Sequence, residues 1–145
     1  MITIKQISSR ETFPVRHPVL RPGKPVEACV FDGDDDADTV HFGIYENNEL
    51  AGVCSVFNAI HPDLDELSQL QLRGMAVLPN HQKKGFGERL VAAAEDYARR
   101  RGAEILWFNA REIAVKFYER NGYKIENGPF LIGTIGPHYL MFKYL

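Results

Sequence analysis

Two lysines and two closely spaced glycines stand where an amphipathic helix is predicted to begin. Residues 82–87 read QKKGFG, and apolar residues follow at helical spacing from Phe86. A helix N-terminus presents backbone N–H groups without partners, together with the positive end of the helix dipole. Gly85 and Gly87 would let an anion approach the main chain, and Lys83 and Lys84 add positive charge. The turn predicts either a phosphate-binding site or only a tight connection between a strand and a helix.

Two widespread phosphate-binding loops do not match this turn. A P-loop requires G-x-x-x-x-G-K followed by Ser or Thr, which is absent from the sequence. The dinucleotide fingerprint G-x-G-x-x-G fails because Leu90 occupies the position of the third glycine. The acidic run at residues 32–38 lacks the central glycine and the closing glutamate of a calcium loop, so we expect no metal site.

Strand-like and helix-like patterns surround the turn and must position it. The first half of the chain is dominated by alternating apolar patterns, and strand–helix units follow, which predicts a mixed α/β (α+β) sheet. Gly74 interrupts one apolar strand and marks a bulge or a close backbone approach. Strands are predicted at residues 1–7, 26–31, 39–45, 50–60, 70–77, 104–110, 123–125, 130–136 and 138–145, and helices at residues 11–20, 86–101 and 111–122.

Composition limits the classes of protein and partner. The 145 residues favour one domain spanning 1–145, and a net charge of −2 argues against nucleic acid as the main partner. The N-terminus lacks the apolar segment of a secretory signal, and no apolar run approaches the length of a membrane span, so we expect a cytoplasmic protein without a membrane partner. Cys29 and Cys54 are expected to be reduced thiols.

Two motifs together resemble the GNAT N-acetyltransferase superfamily. QKKGFG matches the family's acyl-CoA loop, Q/R-x-x-G-x-G/A, and it lies between a strand ending MAVLP and an amphipathic helix. About thirty residues later, NAREIAVKFYERNGYK resembles the second motif, in which an Asn ends a strand before A-x-x-F-Y-x-x-x-G-F/Y. The resemblance implies a mostly antiparallel central sheet flanked by helices, with a splayed strand pair forming the acyl-CoA slot.

The same resemblance assigns the co-substrate acetyl-CoA to particular residues. Main-chain amides of the loop would bind the pyrophosphate of coenzyme A, and backbone groups of the preceding strand would pair with the pantetheine arm. Asn109 ends the strand that borders the slot on its other side. The implied binding residues are Met75, Val77, Gln82, Lys83, Lys84, Gly85, Gly87, Glu88 and Asn109.

Tyr118 stands at the position of the family's general acid, where a phenol would protonate the departing thiolate. A backbone N–H near Val77 would polarise the thioester carbonyl. The alternative interpretation is that Tyr118, like Phe117, is a core aromatic residue.

The base that deprotonates the acceptor is less clearly marked. Some family members carry a glutamate eleven residues before the Gln of the loop, but this chain has Gln71 there, which cannot act as a base. Histidines titrate in the useful pH range, so His138 is the first candidate, followed by His41, His61 and His17. A structural hydrogen-bonding role is the alternative for each of them.

The sequence as a whole predicts an N-acetyltransferase that moves the acetyl group to a primary amine by direct attack in a ternary complex. Neither cysteine has the context of an activated nucleophile, which argues against a covalent acyl-enzyme. The alternative function is a non-catalytic acyl-CoA-binding sensor or interaction module. The acceptor is expected to be a small-molecule or peptide amine, and the apolar strand at residues 138–145 is compatible with a homodimer.

Overall fold

The computed structural model describes residues 1–145, which form seven strands and three α-helices. The strands are β1 (Ile2–Ile7), β2 (Val40–Glu46), β3 (Glu49–Phe57), β4 (Gln69–Val77), β5 (Ile105–Arg111), β6 (Lys124–Ile132) and β7 (Gly136–Tyr144). The helices are α1 (Phe13–Leu20), α2 (Phe86–Arg100) and α3 (Val115–Arg120). All strands join one sheet in the order β1-β2-β3-β4-β5-β7-β6. Only β4 and β5 run parallel, which confirms the predicted mixed, mostly antiparallel sheet.

The parallel strands β4 and β5 separate part-way along their length. Their ladder pairs Gln69 with Ile105 and ends where Gln71 pairs with Trp107. On the other side of β4, the register with β3 shifts, so that Gly74 and Met75 together oppose a single β3 residue. The predicted splayed pair is therefore present, and the bulge lies beside the opening.

Gly74 is required at this bulge for two reasons. Its φ of +63° lies in the left-handed region, where a side chain is strained. A Cβ atom there would also lie 2.9 Å from Cε2 of Phe31. The bulge and the Phe31 ring are therefore in close contact.

The sheet carries helices on both faces. On β3, Val53 packs with Val15 of α1, whereas the next residue, Cys54, belongs to the larger core under α2. Complete burial of Leu90 in that larger core contributes about 1.5–3 kcal/mol to stability. The apolar stripe of α2 that enters this core consists of Phe86, Leu90, Val91, Ala94 and Ala98.

Three predicted strands were wrong in existence or extent. Residues 26–31 form no strand, because the segment closes on itself through the amides of Ala28 and Val30, which bond the carbonyls of Pro25 and Glu27. A short 3₁₀ turn over Val26–Cys29 results. The separate strands predicted at 123–125 and 130–136 are a single irregular strand, β6, which turns into β7 after Ile132.

Three further properties bear on function. Cys29 and Cys54 are both buried and form no disulfide. The structure has no helix with the length and apolar character needed to cross a bilayer. It also contains no group of three or more His, Cys, Asp or Glu side chains arranged to hold a metal ion.

Candidate active site

The turn before α2 presents a continuous row of backbone N–H groups. Gly85 caps the helix with a φ of +80°, and Lys83 also has a positive φ of +63°. None of the six amides from Lys83 to Glu88 donates a hydrogen bond to any group of the chain, and the first helical bond runs from the Arg89 amide to the Gly85 carbonyl. Six adjacent unpaired donors at the positive end of a 15-residue helix are suited to bind an anion.

Side chains of the turn hold its shape rather than fill it. Gln82 donates from Nε2 to the Val77 carbonyl over 3.0 Å, which ties the turn back to the end of β4. The Lys84 ammonium lies 2.8 Å from the Glu46 carboxylate and is committed to that ion pair. Lys83 has no such partner and lines a cavity of about 280 Å³ together with both glycines, Glu88 and Arg120.

Arg120 was not predicted from the sequence to belong to this cavity. It lies in the last turn of α3, and the only signal was a basic residue two positions after Tyr118. Phe117 also lines the cavity, and its ring lies 3.1 Å from the position of a Cβ atom on Gly87. Gly87 is thus required for close packing of α3 against the turn.

A second, larger cleft of about 480 Å³ opens where β4 and β5 separate. Met75 lies on its β4 wall and Asn109 on its β5 wall, and Tyr118 and His138 face the same space. Gln71 also lines it, and no acidic residue does. The structure therefore gathers both predicted catalytic residues at one cleft.

Tyr118 is held in the cleft by aromatic packing. Its ring centroid lies 4.1 Å from that of Phe108, and 8% of the residue is exposed. Its hydroxyl makes no hydrogen bond within the chain. Burial, with a smaller contribution from Cys54, raises the pKa of Tyr118 well above its ordinary value. The phenol is therefore protonated at neutral pH and has a proton to donate.

His138 is oriented by its own loop. Its Nδ1 lies 2.8 Å from the Gly136 carbonyl, which can only accept, so Nδ1 carries the proton and Nε2 keeps a lone pair. The ring stacks on Phe130 at 6.4 Å, and in the β5–β7 ladder His138 faces Arg111. This tautomer has the form of a general base.

The other candidate histidines lie outside the cleft lining. Both ring nitrogens of His41 are occupied, by Ser55 Oγ at 2.6 Å and by the Asp34 carbonyl at 2.9 Å. His17 contacts the Lys24 carbonyl, and His61 packs against Trp107. For these three, the hydrogen-bonding and packing roles agree with their surroundings.

Asn109 carries a polar atom that the chain leaves unsatisfied. Its Oδ1 is buried and has no hydrogen-bond partner, although buried carbonyl oxygens in proteins are nearly always bonded. The residue lines the cleft, so this unsatisfied acceptor lies next to the space that a bound molecule would occupy. The unpaired amides of the turn and this orphan acceptor fit an extended ligand with phosphates at one end and amide groups along its length.

A buried ion pair lies beside the cleft. Arg16, with no exposed surface, donates to Asp34 at 2.7 and 3.0 Å, and also to the Cys29 carbonyl and Ser55 Oγ. Asp34 accepts the Phe31 amide at 2.9 Å. This pair was not predicted, because Asp34 lies in an acidic run that resembles a solvated loop.

The family model described as the acetyltransferase (GNAT) family matches residues 4–123. The chain belongs to the GNAT acetyltransferase family. It is 33% identical to the uncharacterised N-acetyltransferase YitI of Bacillus subtilis, over 100% of this chain and 97% of YitI. The ribosomal-protein-S18-alanine N-acetyltransferase of Escherichia coli has the same fold, with a TM-score of 0.76 at 19% identity over 99% and 94% of the two chains.

A GNAT family acetyltransferase from Elizabethkingia anophelis, solved with acetyl-CoA bound, also superimposes. Its TM-score is 0.72 at 14% identity, and the match covers 99% of this chain and 98% of that one. Family membership makes the chain a GNAT acyltransferase that uses acetyl-CoA, so the alternative of a non-catalytic module is set aside.

Proposed function

We propose that this GNAT enzyme transfers the acetyl group directly to a primary amine, with both substrates bound at once. One observation carries the proposal: Tyr118, a protonated phenol without a partner, and His138, an imidazole with a free Nε2, line the same cleft. A proton donor and a proton acceptor at one opening are what acyl transfer to an amine requires.

The residues that would hold acetyl-CoA follow the two cavities. The unpaired amides from Lys83 to Glu88 would bind the pyrophosphate, and the Lys83 ammonium would add charge. Met75 and Val77 would offer backbone groups to the pantetheine arm, and Asn109 would accept from it through Oδ1. Lys84 would contribute through its amide and Gln82 through the shape of the turn, since both side chains and the Gln82 amide are engaged elsewhere.

When bound, acetyl-CoA supplies an acetyl thioester, whose carbon–sulfur bond breaks as the amine nitrogen bonds the acetyl carbon. Tyr118 would donate its proton to the departing sulfur, and His138 Nε2 would receive the proton that the amine loses. The two transfers leave the number of protons on the enzyme unchanged.

The proposed reaction does not require a covalent acyl-cysteine intermediate on the enzyme. Cys54 is fully buried, and burial raises the pKa of its thiol to about 12, so it is not a nucleophile at neutral pH. Cys29 is also buried, and its pKa is raised by the same cause.

The proposal is tested by measuring thiol release from acetyl-CoA over a panel of primary amines. Tyr118→Phe should lower kcat about 100-fold, in the range for loss of a general acid, with acetyl-CoA affinity changed less than about twofold. The variant should fold normally, because the hydroxyl it removes has no partner in the chain. Tyr97→Phe is the matched control, because Tyr97 packs on Phe42 from α2 and lies outside both cavities. A wild-type rate in Tyr118→Phe would contradict the assigned role.

A further inference from the structure

We infer that the acceptor is an amine that also carries a carboxylate or phosphate group, and that Arg73, assisted by Arg21, binds this anionic group. The inference rests on the proposed function and names the substrate class of the same site. Both arginines line the cleft between β4 and β5 that Tyr118 and His138 share.

The charge of the cleft is the first argument. Its lining contains Arg21, Arg73 and Arg111, but no aspartate or glutamate, although the chain as a whole carries a net charge of −2. A primary amine arrives in water as an ammonium ion, which three guanidinium groups repel. An acceptor with several amines and no anionic group is therefore disfavoured, and one that brings its own negative charge is favoured.

Arg73 is the second argument, because its guanidinium lies against two aromatic rings but has no polar partner. It lies over the Phe31 and Phe57 rings, at 4.8 and 5.0 Å from their centroids, and it takes part in no ion pair. Burial and the neighbouring Arg16 lower its pKa from the ordinary arginine value, but an arginine stays charged. A half-buried guanidinium with unused N–H donors is suited to receive a planar or tetrahedral anion.

The Phe31 ring contacts Arg21 and Arg73 without neutralising their charge. Arg16 stacks on the ring at 3.9 Å, and its charge is compensated by Asp34. The Arg21 guanidinium lies 5.4 Å from the same ring centroid, and the only hydrogen bond of the side chain is to the Leu20 carbonyl. Arg16 is thus a paired, structural arginine, whereas Arg21 and Arg73 offer their charge to the cleft.

The test compares acceptors that differ only in charge. Free amino acids are paired with their amides, and aminoalkyl phosphonates with alkylamines of the same length, and thiol release is measured at saturating acetyl-CoA. The wild type should favour the anionic member of at least one pair by about tenfold or more in kcat/KM. Arg73→Gln should lower kcat/KM for that anionic acceptor by about 10- to 100-fold and leave its uncharged partner nearly unchanged. A preference for the free amino acids would identify a carboxylate as the anionic group, and a preference for the aminoalkyl phosphonates would identify a phosphate.

Two further variants keep the test specific. Arg73→Lys retains the charge but loses the bidentate geometry, and it should fall between Gln and the wild type. Arg100→Gln removes an exposed arginine at the far end of α2 and should keep the preference of the wild type. Acetyl-CoA affinity should be equal in all four proteins; a large loss in Arg73→Gln would show that Arg73 binds coenzyme A instead, and would overturn the inference.

Binding of reaction products separates this inference from the proposed function. Tight binding of N-acetylated amino acids relative to their amides, in the presence of CoA and lost in Arg73→Gln, supports the anion site whatever the turnover. Equal turnover of charged and uncharged amines, unaffected by Arg73→Gln, overturns the anion site and leaves acetyl transfer standing. No turnover on either member of any pair, with acetyl-CoA bound, overturns the proposed function, and equal product binding by the wild type and Arg73→Gln overturns the anion site.

Discussion

Replacing Asp34 by asparagine is expected to lower the free energy of unfolding by about 3–5 kcal/mol, the usual cost of removing one partner from a buried ion pair. The asparagine has nearly the shape of the aspartate but no charge. Arg16, with no exposed surface, would then carry an uncompensated charge in the interior. The Phe31 amide would also bond a weaker acceptor than the carboxylate that it reaches at 2.9 Å.

The expected change is large enough for simple assays. For a chain of this size, each kcal/mol corresponds to about 2–4 °C in Tm, so Asp34→Asn should lower Tm by about 6–20 °C. Urea unfolding should show a lower midpoint with an unchanged m-value. In Arg16→Met/Asp34→Asn, the loss should be smaller than the sum of the two single losses, since the double variant leaves no unpaired charge.

Asp36→Asn is the matched control, because Asp36 is an exposed member of the same acidic run and forms no ion pair. Its effect on stability should stay within about 0.5 kcal/mol. A loss below about 1 kcal/mol in Asp34→Asn would refute the account of the ion pair as a buried, coupled unit.

The pH dependence of the free energy of unfolding tests the same ion pair. Burial opposes ionisation of Asp34, but hydrogen bonds and charge from Arg16 and the Phe31 amide outweigh it and hold the pKa below the ordinary 3.8. A folded-state pKa below the unfolded value stabilises the protein above pH 3.8 and ceases to do so as the pH falls through the folded value. The stability advantage of the wild type over Asp34→Asn should therefore shrink below pH 3.8.

Substitutions at three further positions test the cavities. Asp and Asn both tolerate the left-handed φ at position 85. Gly85→Asp should therefore weaken acetyl-CoA binding, measured by titration, by about 100-fold relative to Gly85→Asn through charge alone. Equal affinities would contradict a phosphate site at this turn. Gly74→Ala should displace the Phe31 ring and cost about 1–3 kcal/mol in urea unfolding, and an unchanged midpoint would argue against the close contact. His138→Gln should lower kcat by about 10- to 100-fold at unchanged acetyl-CoA affinity, unlike the control His61→Gln, and equal rates in both would remove His138 from the mechanism.

The sequence was most informative where the signal is local. The glycines and lysines before α2 predicted the row of unpaired amides, since a helix start and its positive φ are set by adjacent residues. The apolar period of α2 and the interruption at Gly74 were likewise recognisable. Tyr118 and His138, in contrast, were placed on one cleft by the family resemblance and not by any spacing between them.

The parts that escaped prediction depend on partners distant in sequence. Asp34 looked solvated among four other acidic residues, and its burial follows from Arg16, 18 positions earlier. Arg73 lies in a strand rich in apolar residues, and the two aromatic rings that hold it come from separate segments. Residues 26–31 have the composition of a strand, but both sides of β2, the strand that follows them, are already paired with β1 and β3.

The position of β7 between β5 and β6 predicts that the enzyme opens as two cooperative units. β6 pairs only with β7, and β7 joins the rest of the sheet only through its ladder with β5, from Ile105–Tyr144 to Arg111–His138. The β6–β7 hairpin must therefore dock and detach as a whole. In hydrogen exchange, the amides of the hairpin should share one opening free energy, which should be no higher than that of β2 to β4. Each opening would remove His138 from the cleft and leave the amide row before α2 intact.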